Sequence, residues 1–479
     1  MIKTILKYVL FIVAVLIAVI LVQTWRFTKS IPHTRAEALP ALPDSSLTHL
    51  SNAIQIKTVS LSDTLPPDTI AFMQFRNFLE RSYPLVHQQL QRRIINSFSY
   101  VYYWKGKDPS LKPYVLMAHQ DVVPVEEAAE KNWKLPPFSG KITDTAVWGR
   151  GTTDDKGSLV AIMETVEKLL QRQYQPQRSI YLCFGHTEEL GGKRGAAAIA
   201  EWMQQNNIHP ALVCDEGGII TRENFKELGR PIALLGIAEK GYASFELSVE
   251  AAGGHSSMPA KETAIDILSK ALINIRATQM PVTITQPTRE MLDKIGPAMP
   301  FAMRMALANR WLFQPMLISK FEAGNATNAT IHTTIVPTII HAGIKDNIVP
   351  TQATAVINSR IIPGQTSDDV LNFMREKIND KRVIIKKLDW VAEPGKIASS
   401  ESEGYKKMES ISYKLMDDIV PVPFLIIGAT DSRYFRPFSD VVVDFSPMLD
   451  PKGFHGIDEH LSIQDFQRMM FYYELFLLE

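Results

Sequence analysis

The sequence predicts an α/β fold, with a mainly parallel sheet that has helices on both faces and is interrupted by an α+β lid or dimerisation domain. Three observations predict it. Strand-like and helix-like patterns alternate after about residue 46, polar side chains follow four of the strands, and the pattern changes at Gly241 and returns after Ile361. The 479 residues are enough for two or three domains.

The first part of the predicted catalytic domain, residues 46–240, shows a βαβα order. Its short apolar runs at 114–118, 179–184 and 211–214 are typical of buried strands. Residues 158–172 carry apolar side chains at helical spacing, and the alanine-rich stretch that follows the second strand is also helical in pattern. Strands that alternate with helices favour a parallel sheet covered by helices.

A different pattern occupies residues 241–361, which we predict to be the lid or dimerisation domain. Residues 243–250 alternate apolar and polar side chains, as a half-exposed strand does, and residues 263–276 are helical in pattern. Residues 352–361 again resemble a strand. The second part of the catalytic domain then occupies 362–479, with strands expected near 424–427 and 441–445.

Composition excludes some classes of protein. Lys plus Arg and Asp plus Glu number 51 each, so the net charge is zero and no basic run dominates; we therefore expect no nucleic-acid partner. The two cysteines, Cys183 and Cys214, lie in apolar runs, which favours buried thiols over a disulfide framework.

Residues 1–29 are predicted to be an N-terminal signal anchor or signal peptide. Lys3 and Lys7 precede an apolar run of 15 residues, and Lys29 follows it. The end of the run lacks the small-residue pattern of a cleavage site, which favours an uncleaved anchor. We expect the membrane to be contacted through this helix, with the catalytic domain outside the cytoplasm, or a secreted protein if the segment is cleaved. Residues 30–45, with three prolines, suit a linker.

Histidine and carboxylate side chains follow four of the predicted strands, in segments 119–121, 148–157, 186–189 and 215–218. In open α/β sheets, ligands bind outside the carboxyl ends of the strands. Imidazole plus carboxylates suits zinc, with cobalt or manganese as alternatives. The carboxylates exceed the need of one zinc, so two metal ions about 3.5–4 Å apart, bridged by one carboxylate, are the natural hypothesis.

Each of these segments is weak evidence when taken alone. His119 fits a structural histidine, Glu188 and Glu189 fit a solvated helix start, and Asp154 fits a turn before a helix. Their joint occurrence, each after a strand and in this order, is much harder to obtain by chance. Glu188 and Glu189 could divide the tasks of general base and metal ligand.

Seven stretches carry a resemblance to a known family: residues 118–124, 149–157, 187–192, 215–218, 253–259, 358–364 and 453–456. Together they resemble the two-zinc metallopeptidases of family twenty, which include glutamate carboxypeptidase, aminoacylase and succinyl-diaminopimelate desuccinylase. The resemblance covers about residues 45–479. It implies a two-zinc exopeptidase-like fold and hydrolysis of an amide bond beside a free carboxylate, in a peptide or an N-acyl amino acid.

The resemblance also implies a ligand set for two Zn²⁺ ions, with Co²⁺ or Mn²⁺ as alternatives. His119 and Asp215 would hold one ion, Glu189 and His455 would hold the other, and Asp154 would bridge them. No predicted ligand position is substituted, which argues against an inactive relative.

Two further catalytic roles follow from the same resemblance. Asp121 would accept the other ring N–H of His119 and fix its tautomer. Glu188 would be the general base that activates a zinc-bound water, and later the acid for the leaving amine.

The lid would supply the remaining catalytic and substrate-binding residues. His255 would stabilise the developing oxyanion, from this subunit or from the partner of a homodimer formed through the lid. Arg360 would clamp the substrate carboxylate, assisted by Asn347. Asp431, in the Thr-Asp-Ser-Arg stretch, is the third predicted substrate-binding residue. Without the resemblance, His255 is a turn residue and Arg360 a surface ion-pair partner.

The chain is similar to a branch of the family that includes Gly-X carboxypeptidase and N-fatty-acyl-amino-acid synthase/hydrolase. Residues 299–321 are rich in Met and aromatic side chains, which fits an acyl-chain tunnel, a membrane contact, or simply packed lid core or a dimer interface. Two alternative functions stay open: a membrane-anchored protein that binds peptides without cutting them, and net synthesis of N-acyl amino acids by the reverse reaction.

Overall fold

The computed structural model describes residues 2–28, 31–62 and 67–479. The first residue of the predicted anchor, its last residue Lys29 and the first residue of the predicted linker lie outside the described residues. The remaining linker residues pack along the catalytic domain, where the backbone N–H of Glu37 donates to the carbonyl of Lys414 at 2.9 Å.

The helices of the described residues are α1 (Ile2–Arg26), α2 (Ser46–Gln55), α3 (Thr69–Ser82), α4 (Pro84–Gln89), α5 (Glu127–Glu130), α6 (Lys156–Gln171), α7 (Ala196–Gln205), α8 (Ala264–Arg276), α9 (Gln286–Ile295), α10 (Phe301–Ala308), α11 (Arg310–Glu322), α12 (Asn325–Ala329), α13 (Ser367–Ile378), α14 (Glu403–Leu415) and α15 (Ile463–Leu478). The strands are β1 (Gln91–Ile95), β2 (Ser99–Trp104), β3 (Tyr114–His119), β4 (Lys141–Ile142), β5 (Ala146–Trp148), β6 (Ile180–Gly185), β7 (Leu212–Asp215), β8 (Ile220–Thr221), β9 (Ile232–Glu239), β10 (Gly241–Glu250), β11 (Gly254–His255), β12 (Thr334–Ala342), β13 (Ile348–Val349), β14 (Gln352–Ile361), β15 (Val383–Ala392), β16 (Val420–Ile426), β17 (Val441–Asp444) and β18 (His460–Ser462).

The large sheet has the strand order β1-β2-β6-β3-β7-β17-β9-β16, with β8 paired to β9. Its centre, from β6 through β3 and β7 to β17, is parallel, as is the β9–β16 pair. The fold class predicted from the sequence is therefore confirmed. Parallel strands covered by helices are buried on both faces, and Leu159, Ile162 and Val166 of α6 are fully buried against them.

A second, antiparallel sheet of order β12-β14-β10-β15 forms the lid. Helices α8 and α13 pack on it, and both begin with a capping box, at Thr263 with Asp266 and at Thr366 with Asp369. The strand β10 alternates buried and half-buried side chains because one face of this sheet is covered by the two helices.

The structure divides the predicted lid of residues 241–361 differently from the sequence pattern. The lid sheet continues beyond residue 361, because β15 pairs with β10 and α13 covers the same face. Helices α9, α10 and α11, in contrast, pack on β9 and β16 of the large sheet through a cluster that includes Met291, Leu307, Leu317 and Val420. Residues 286–329 are thus a helical insert on the catalytic domain.

Candidate active site

The parallel strands bring the predicted segments to one edge of the large sheet. Adjacent registers pair His119 with Gly185 and Asp444 with Asp215, so β3, β6, β7 and β17 end side by side. Glu188 follows β6 in a 3₁₀ turn, and Glu216 follows β7 directly. Side chains that are up to 97 residues apart in the sequence, from position 119 to 216, therefore meet at this edge.

The loops that carry Asp154 and His455 are held together by one buried carboxylate, Glu459. Its Oε1 accepts hydrogen bonds from the backbone N–H groups of Gly151 at 2.9 Å and Thr153 at 3.0 Å. Its Oε2 lies 2.5 Å from Arg150 Nη1. Strand pairing of β18 with β5 completes this junction. A segment near the C-terminus is thereby fixed against the loop before α6.

Two groups of potential metal ligands share Asp154. In the first group, His119 Nε2 lies 2.9 Å from Asp154 Oδ1 and 3.3 Å from Glu216 Oε1. In the second, His455 Nε2 lies 2.9 Å from Asp154 Oδ2 and 3.3 Å from Glu189 Oε2. Within each group the donor atoms lie within 4.8 Å of one another. The two oxygens of Asp154 thus face two different sets of ligands.

The predicted ligand Asp215 belongs to neither group, whereas its neighbour Glu216 belongs to the first; the role of Asp215 as a ligand stays a prediction. Glu216 Oε1 lies 3.3 Å from His119 Nε2, and Asp215 Oδ2 is buried without a hydrogen-bond partner in the described part of the chain. Asp215 is buried, and burial raises its pKa to about 6. Glu216 lies in the same predicted segment as Asp215, so the sequence already pointed to this carboxylate. The direction in which its side chain points is set by the end of strand β7.

The charges of these groups fit a pair of divalent cations. Burial raises the pKa of Glu216, and the nearby Asp154 raises it further. Burial also raises the pKa of Asp154, but hydrogen bonds from His119 and His455 outweigh burial and hold it below its usual range. Glu189 Oε1 is buried without a hydrogen-bond partner in the described part of the chain. Metal cations would satisfy this oxygen and offset the mutual repulsion of the carboxylates.

Asp121 holds the loop that carries Glu188 and Glu189. Its Oδ1 accepts the backbone N–H of Glu188 at 3.1 Å, and its Oδ2 accepts that of Glu189 at 3.2 Å and the hydroxyl of Ser60 at 2.7 Å. His119 Nδ1 lies 2.9 Å from the main-chain oxygen of Asp121 and 3.4 Å from its carboxylate. The main chain of Asp121 is therefore the nearer acceptor for the imidazole, and the carboxylate chiefly positions the two glutamates.

Glu188 and Asp431 form an acidic pair beside this loop. Burial raises the pKa of Glu188 well above its ordinary value, and the charge of Asp431 raises it further. Burial raises the pKa of Asp431 to about 7. Asp431 is packed against two glycines, because a Cβ added to Gly185 would lie 2.7 Å from its Oδ2 and one added to Gly192 would lie 2.0 Å from its Oδ1. Close packing therefore fixes Asp431, a predicted substrate-binding residue, behind the loop of Glu188.

Two arginines from different parts of the chain lie close to Glu188. Arg360, on β14 of the lid, has its guanidinium 4.8 Å from the centre of the Tyr242 ring. Burial lowers the pKa of Arg360, and the charge of Arg433 lowers it further. Burial acts in the same direction on Arg433, but nearby Asp431 and Glu188 outweigh it and raise its pKa. Nε and Nη2 of Arg433 are buried without hydrogen-bond partners among the described residues.

An aromatic pair of the lid contacts the catalytic domain at this point. The rings of Tyr242 and Trp390 lie 4.1 Å apart, and the Arg433 guanidinium lies 5.5 Å from the Trp390 ring. A Cβ added to Gly191 would lie 2.8 Å from Trp390 Cζ2. Sequence reasoning missed Arg433, Tyr242 and Trp390; the nearest signal was that Arg433 lies two residues after Asp431.

The other two predicted lid residues lie away from the acidic groups. His255 is exposed on the short strand β11, and its Nδ1 accepts hydrogen bonds from the backbone and hydroxyl of Ser257 at 3.1 and 2.8 Å. Asn347 is exposed in the turn before β13, where its carbonyl accepts the N–H of Ser256 at 3.2 Å. The hydrogen bonds described for both residues are therefore made within the short strand pair β11–β13 and its flanking turns.

A cavity of about 520 Å³ opens beside the loop of Glu188. Its walls include the apolar side chains of Val59, Leu61 and Leu190, and its rim carries Lys193 and Arg194. This volume lies within the range of about 300–1,000 Å³ that is usual for small-molecule sites. None of the lining residues comes from 299–321, so the cavity gives no support to an acyl tunnel through that stretch.

Comparisons with known proteins agree with this geometry. The profile of peptidase family M20/M25/M40 matches residues 115–479. A probable carboxypeptidase S-like 2 from Dictyostelium discoideum is 38% identical over 476 residues, which cover 96% of this chain and 91% of that relative. The chain belongs to peptidase family M20. The predicted family is confirmed, and the protein is an M20 metallopeptidase or amidohydrolase of carboxypeptidase-like type.

Two further M20 proteins show the range of relatives. Human N-fatty-acyl-amino acid synthase/hydrolase PM20D1 is 35% identical over 437 residues, covering 89% of this chain and 86% of that protein. The solved structure of an M20 family metallo-carboxypeptidase from Sulfolobus solfataricus gives a TM-score of 0.67 at 18% identity, covering 91% of this chain and 99% of that chain. The second likeness shows a shared fold. Membership of this metallopeptidase family implies bound metal ions.

Proposed function

We propose that the protein hydrolyses the amide bond beside a free carboxylate, in a peptide or an N-acyl amino acid. The observation that carries the proposal is that two ligand groups sharing Asp154 lie beside a half-buried Glu188, with Arg360 and Arg433 close to it. The names of two relatives, a carboxypeptidase and an N-fatty-acyl-amino acid hydrolase, describe reactions of this class.

We assign two metal ions to these groups. His119 and Glu216 would hold one ion, Glu189 and His455 the other, and Asp154 both. Imidazole and carboxylate ligands without thiolate suit zinc, with cobalt or manganese as alternatives. Two such ions supply Lewis-acid chemistry, lowering the pKa of a water and polarising a carbonyl.

Glu188 moves the proton in this proposal. It takes a proton from the attacking water and later gives it to the nitrogen of the leaving amine. A general base works best when its pKa is near the working pH, and burial raises the pKa of Glu188 in that direction. Asp121 holds the backbone of Glu188 in place for both transfers.

The substrate carboxylate binds between the two domains. Arg433 offers two buried N–H groups that lack partners in the described chain, and Arg360 adds a second guanidinium from the lid. Guanidinium groups bind carboxylates through paired hydrogen bonds, so a substrate carboxylate would satisfy them. The apolar walls of the 520 Å³ cavity leave room for an acyl chain or a peptide side chain on the other side of the amide.

His255, Asn347 and a homodimer through the lid stay predictions. The exposed strand pair that carries His255 would reach an oxyanion by lid closure or from a partner subunit. The proposal includes both directions of the amide reaction, because a catalyst of hydrolysis also catalyses synthesis when substrate concentrations favour it.

Replacement of Glu188 by Gln tests the proposed reaction. We expect hydrolysis of dipeptides, acetyl-phenylalanine and lauroyl-phenylalanine to fall by about 10²–10⁴-fold, while bound metal stays unchanged. Glu201→Gln, on the exposed face of α7, is the matched control and should keep full activity. Activity that survives in Glu188→Gln would overturn the assigned base. Wild-type protein that binds these compounds with added zinc but never cleaves them would favour the non-catalytic binding protein instead.

The helix α1 is consistent with a signal sequence or anchor, since it is the helix of the described chain that is long and apolar enough to cross a membrane. We propose that it is retained as an anchor, with the catalytic domain outside the cytoplasm. Support comes from its last turns, which pack against the helical insert: Asn309 Nδ2 donates to Thr24 Oγ1 at 3.2 Å. Such contacts suit a permanent part of the fold.

A further inference from the structure

The anchor helix has two parts with different surroundings. Side chains of residues 2–19 are all exposed, whereas contacts with the protein begin at Ile20 and bury Thr24. Eighteen residues of helix span about 27 Å, close to the ~30 Å of a bilayer's hydrocarbon core. The exposed part of α1 therefore has the length of a membrane span. The packed part of the protein begins where that span ends.

Helices α10 and α11 meet α1 at this level. Asn309, between them, donates to the carbonyl of Ile20 at 3.3 Å, and Trp311 Nε1 donates to Gln23 Oε1 at 3.1 Å. Phe27 then packs against Gly296, where an added Cβ would lie 2.7 Å from Phe27 Cε1. These contacts place α10 and α11 at the boundary between the apolar span and the catalytic domain.

The outward side of these two helices is apolar and cationic. Phe301, Trp311, Leu312 and Met316, which we call the membrane face, are 54%, 57%, 39% and 49% exposed. Residues 301–322 also contain three cations, of which Arg310 pairs with Asp293, and one carboxylate, Glu322, which lies 3.1 Å from His332 Nε2. Exposed aromatic and aliphatic side chains interspersed with Lys and Arg are the composition of helices that lie in a bilayer interface.

We infer that the membrane face lies in the headgroup region of the bilayer that α1 spans, and so holds the catalytic domain against an anionic lipid surface. The inference rests on the retained anchor of the proposed function. Continuity with α1 and the excess of cations over carboxylates in these helices favour lipid over a second copy of the chain. The opposite side of α10 and α11, with Leu307 and Leu317, packs on the large sheet, so the stretch 299–321 is core on one side and lipid-facing on the other.

Lipid quenching of Trp311 tests the inference with the full chain reconstituted in phosphatidylcholine–phosphatidylglycerol nanodiscs, one copy per disc. The Trp311 signal is the fluorescence of wild type minus that of Trp311→Phe. We expect brominated lipid to remove most of this signal. The control signal is the fluorescence of wild type minus that of Trp202→Phe. It should be the same with brominated and with ordinary lipid, because Trp202, on α7, packs beneath Arg93 in the catalytic domain.

A Trp311 signal that brominated lipid leaves unchanged would overturn the inference, and would do so whether or not the protein hydrolyses amides. A second probe guards against misfolding of Trp311→Phe: in the full chain in discs, Met316→Cys carrying an environment-sensitive dye should emit at shorter wavelength than Glu201→Cys carrying the same dye on the exposed side of α7. Equal emission from the two positions would also overturn the inference. Emission that shifts only when two copies share a disc would assign the face to a protein partner and equally reject lipid.

Discussion

The substitution Asp121→Asn removes the carboxylate of Asp121 but keeps its main-chain oxygen. It therefore separates the role of the side chain, which holds Glu188 and Glu189, from the role of the main chain, which accepts from His119. Both carboxylate oxygens of Asp121 accept backbone N–H groups, from Glu188 and from Glu189, and Oδ2 also accepts the Ser60 hydroxyl. An amide offers one acceptor oxygen, so its NH₂ must face one of these N–H donors. The site is fully buried, and one donor then loses its partner.

The expected magnitude follows from that count. One buried donor without a partner costs about 1–3 kcal/mol, so the free energy of unfolding of the metal-free protein should fall by this amount. Outer partners of metal ligands are worth about 10–100-fold in metal affinity. Because the main-chain oxygen of Asp121 still accepts from His119 Nδ1 at 2.9 Å, we expect the metal affinity of Asp121→Asn to fall by the lower value, about tenfold.

Urea unfolding of the stripped protein measures the first quantity, and competition with a chromogenic chelator measures the second. Asp108→Asn makes the same chemical change at a half-exposed position, where Asp108 accepts from Ser110, and should leave the urea midpoint close to that of the wild type. If Asp121→Asn unfolds like the wild type and holds metal equally well, the positioning role is wrong.

Three other outcomes are expected. Gly192→Ala should unfold at lower urea concentration than Gly229→Ala, because both glycines have φ of +67° but only the first would place a Cβ 2.0 Å from Asp431 Oδ1; equal midpoints would contradict the packing. Burial lowers the pKa of Lys240 to about 7, so the folded state loses this proton first. From pH 7 to 9.5 the free energy of unfolding of wild type relative to Lys240→Met should therefore rise, by at most about 1.4 kcal/mol per pH unit, and a flat difference would refute the shift. A chelator should lower the melting temperature, since ions at about 100 times their Kd stabilise the fold by about 2.7 kcal/mol; an unchanged transition would argue against the metal groups.

Local pattern was sufficient for single elements of the lid sheet and of the catalytic domain. The strand predicted at 352–361 has the observed bounds of β14, and the helix predicted at 158–172 corresponds to α6, Lys156–Gln171. The strand β14 alternates because one of its sides is buried. Helix α6 is buried on nearly all sides, and its larger apolar side chains still recur at helical spacing. The family resemblance then supplied residues such as Glu188 and His455, whose roles no periodicity reveals.

Long-range pairing was beyond that pattern. The strand Val383–Ala392 joins the lid because it pairs with β10, and residues 286–329 leave the lid because their apolar side fits β9 and β16. An apolar pattern shows that a segment is buried, but it does not show which surface the segment covers. The predicted boundary at residue 361 therefore missed both the pairing of β15 with the lid and the packing of residues 286–329 on the large sheet.

The sequence by itself determined which chemistry is present: histidines and carboxylates after parallel strands, an arginine on the lid and an apolar N-terminal helix. Tertiary structure alone decided which of those groups meet. Asp215 and Glu216 are adjacent in the chain, yet the direction of the strand end gives Glu216 to His119. Arg433, Trp390 and Tyr242 come together from three separate segments, because a site is defined by distances in space, which the folded arrangement of strands sets and sequence spacing does not.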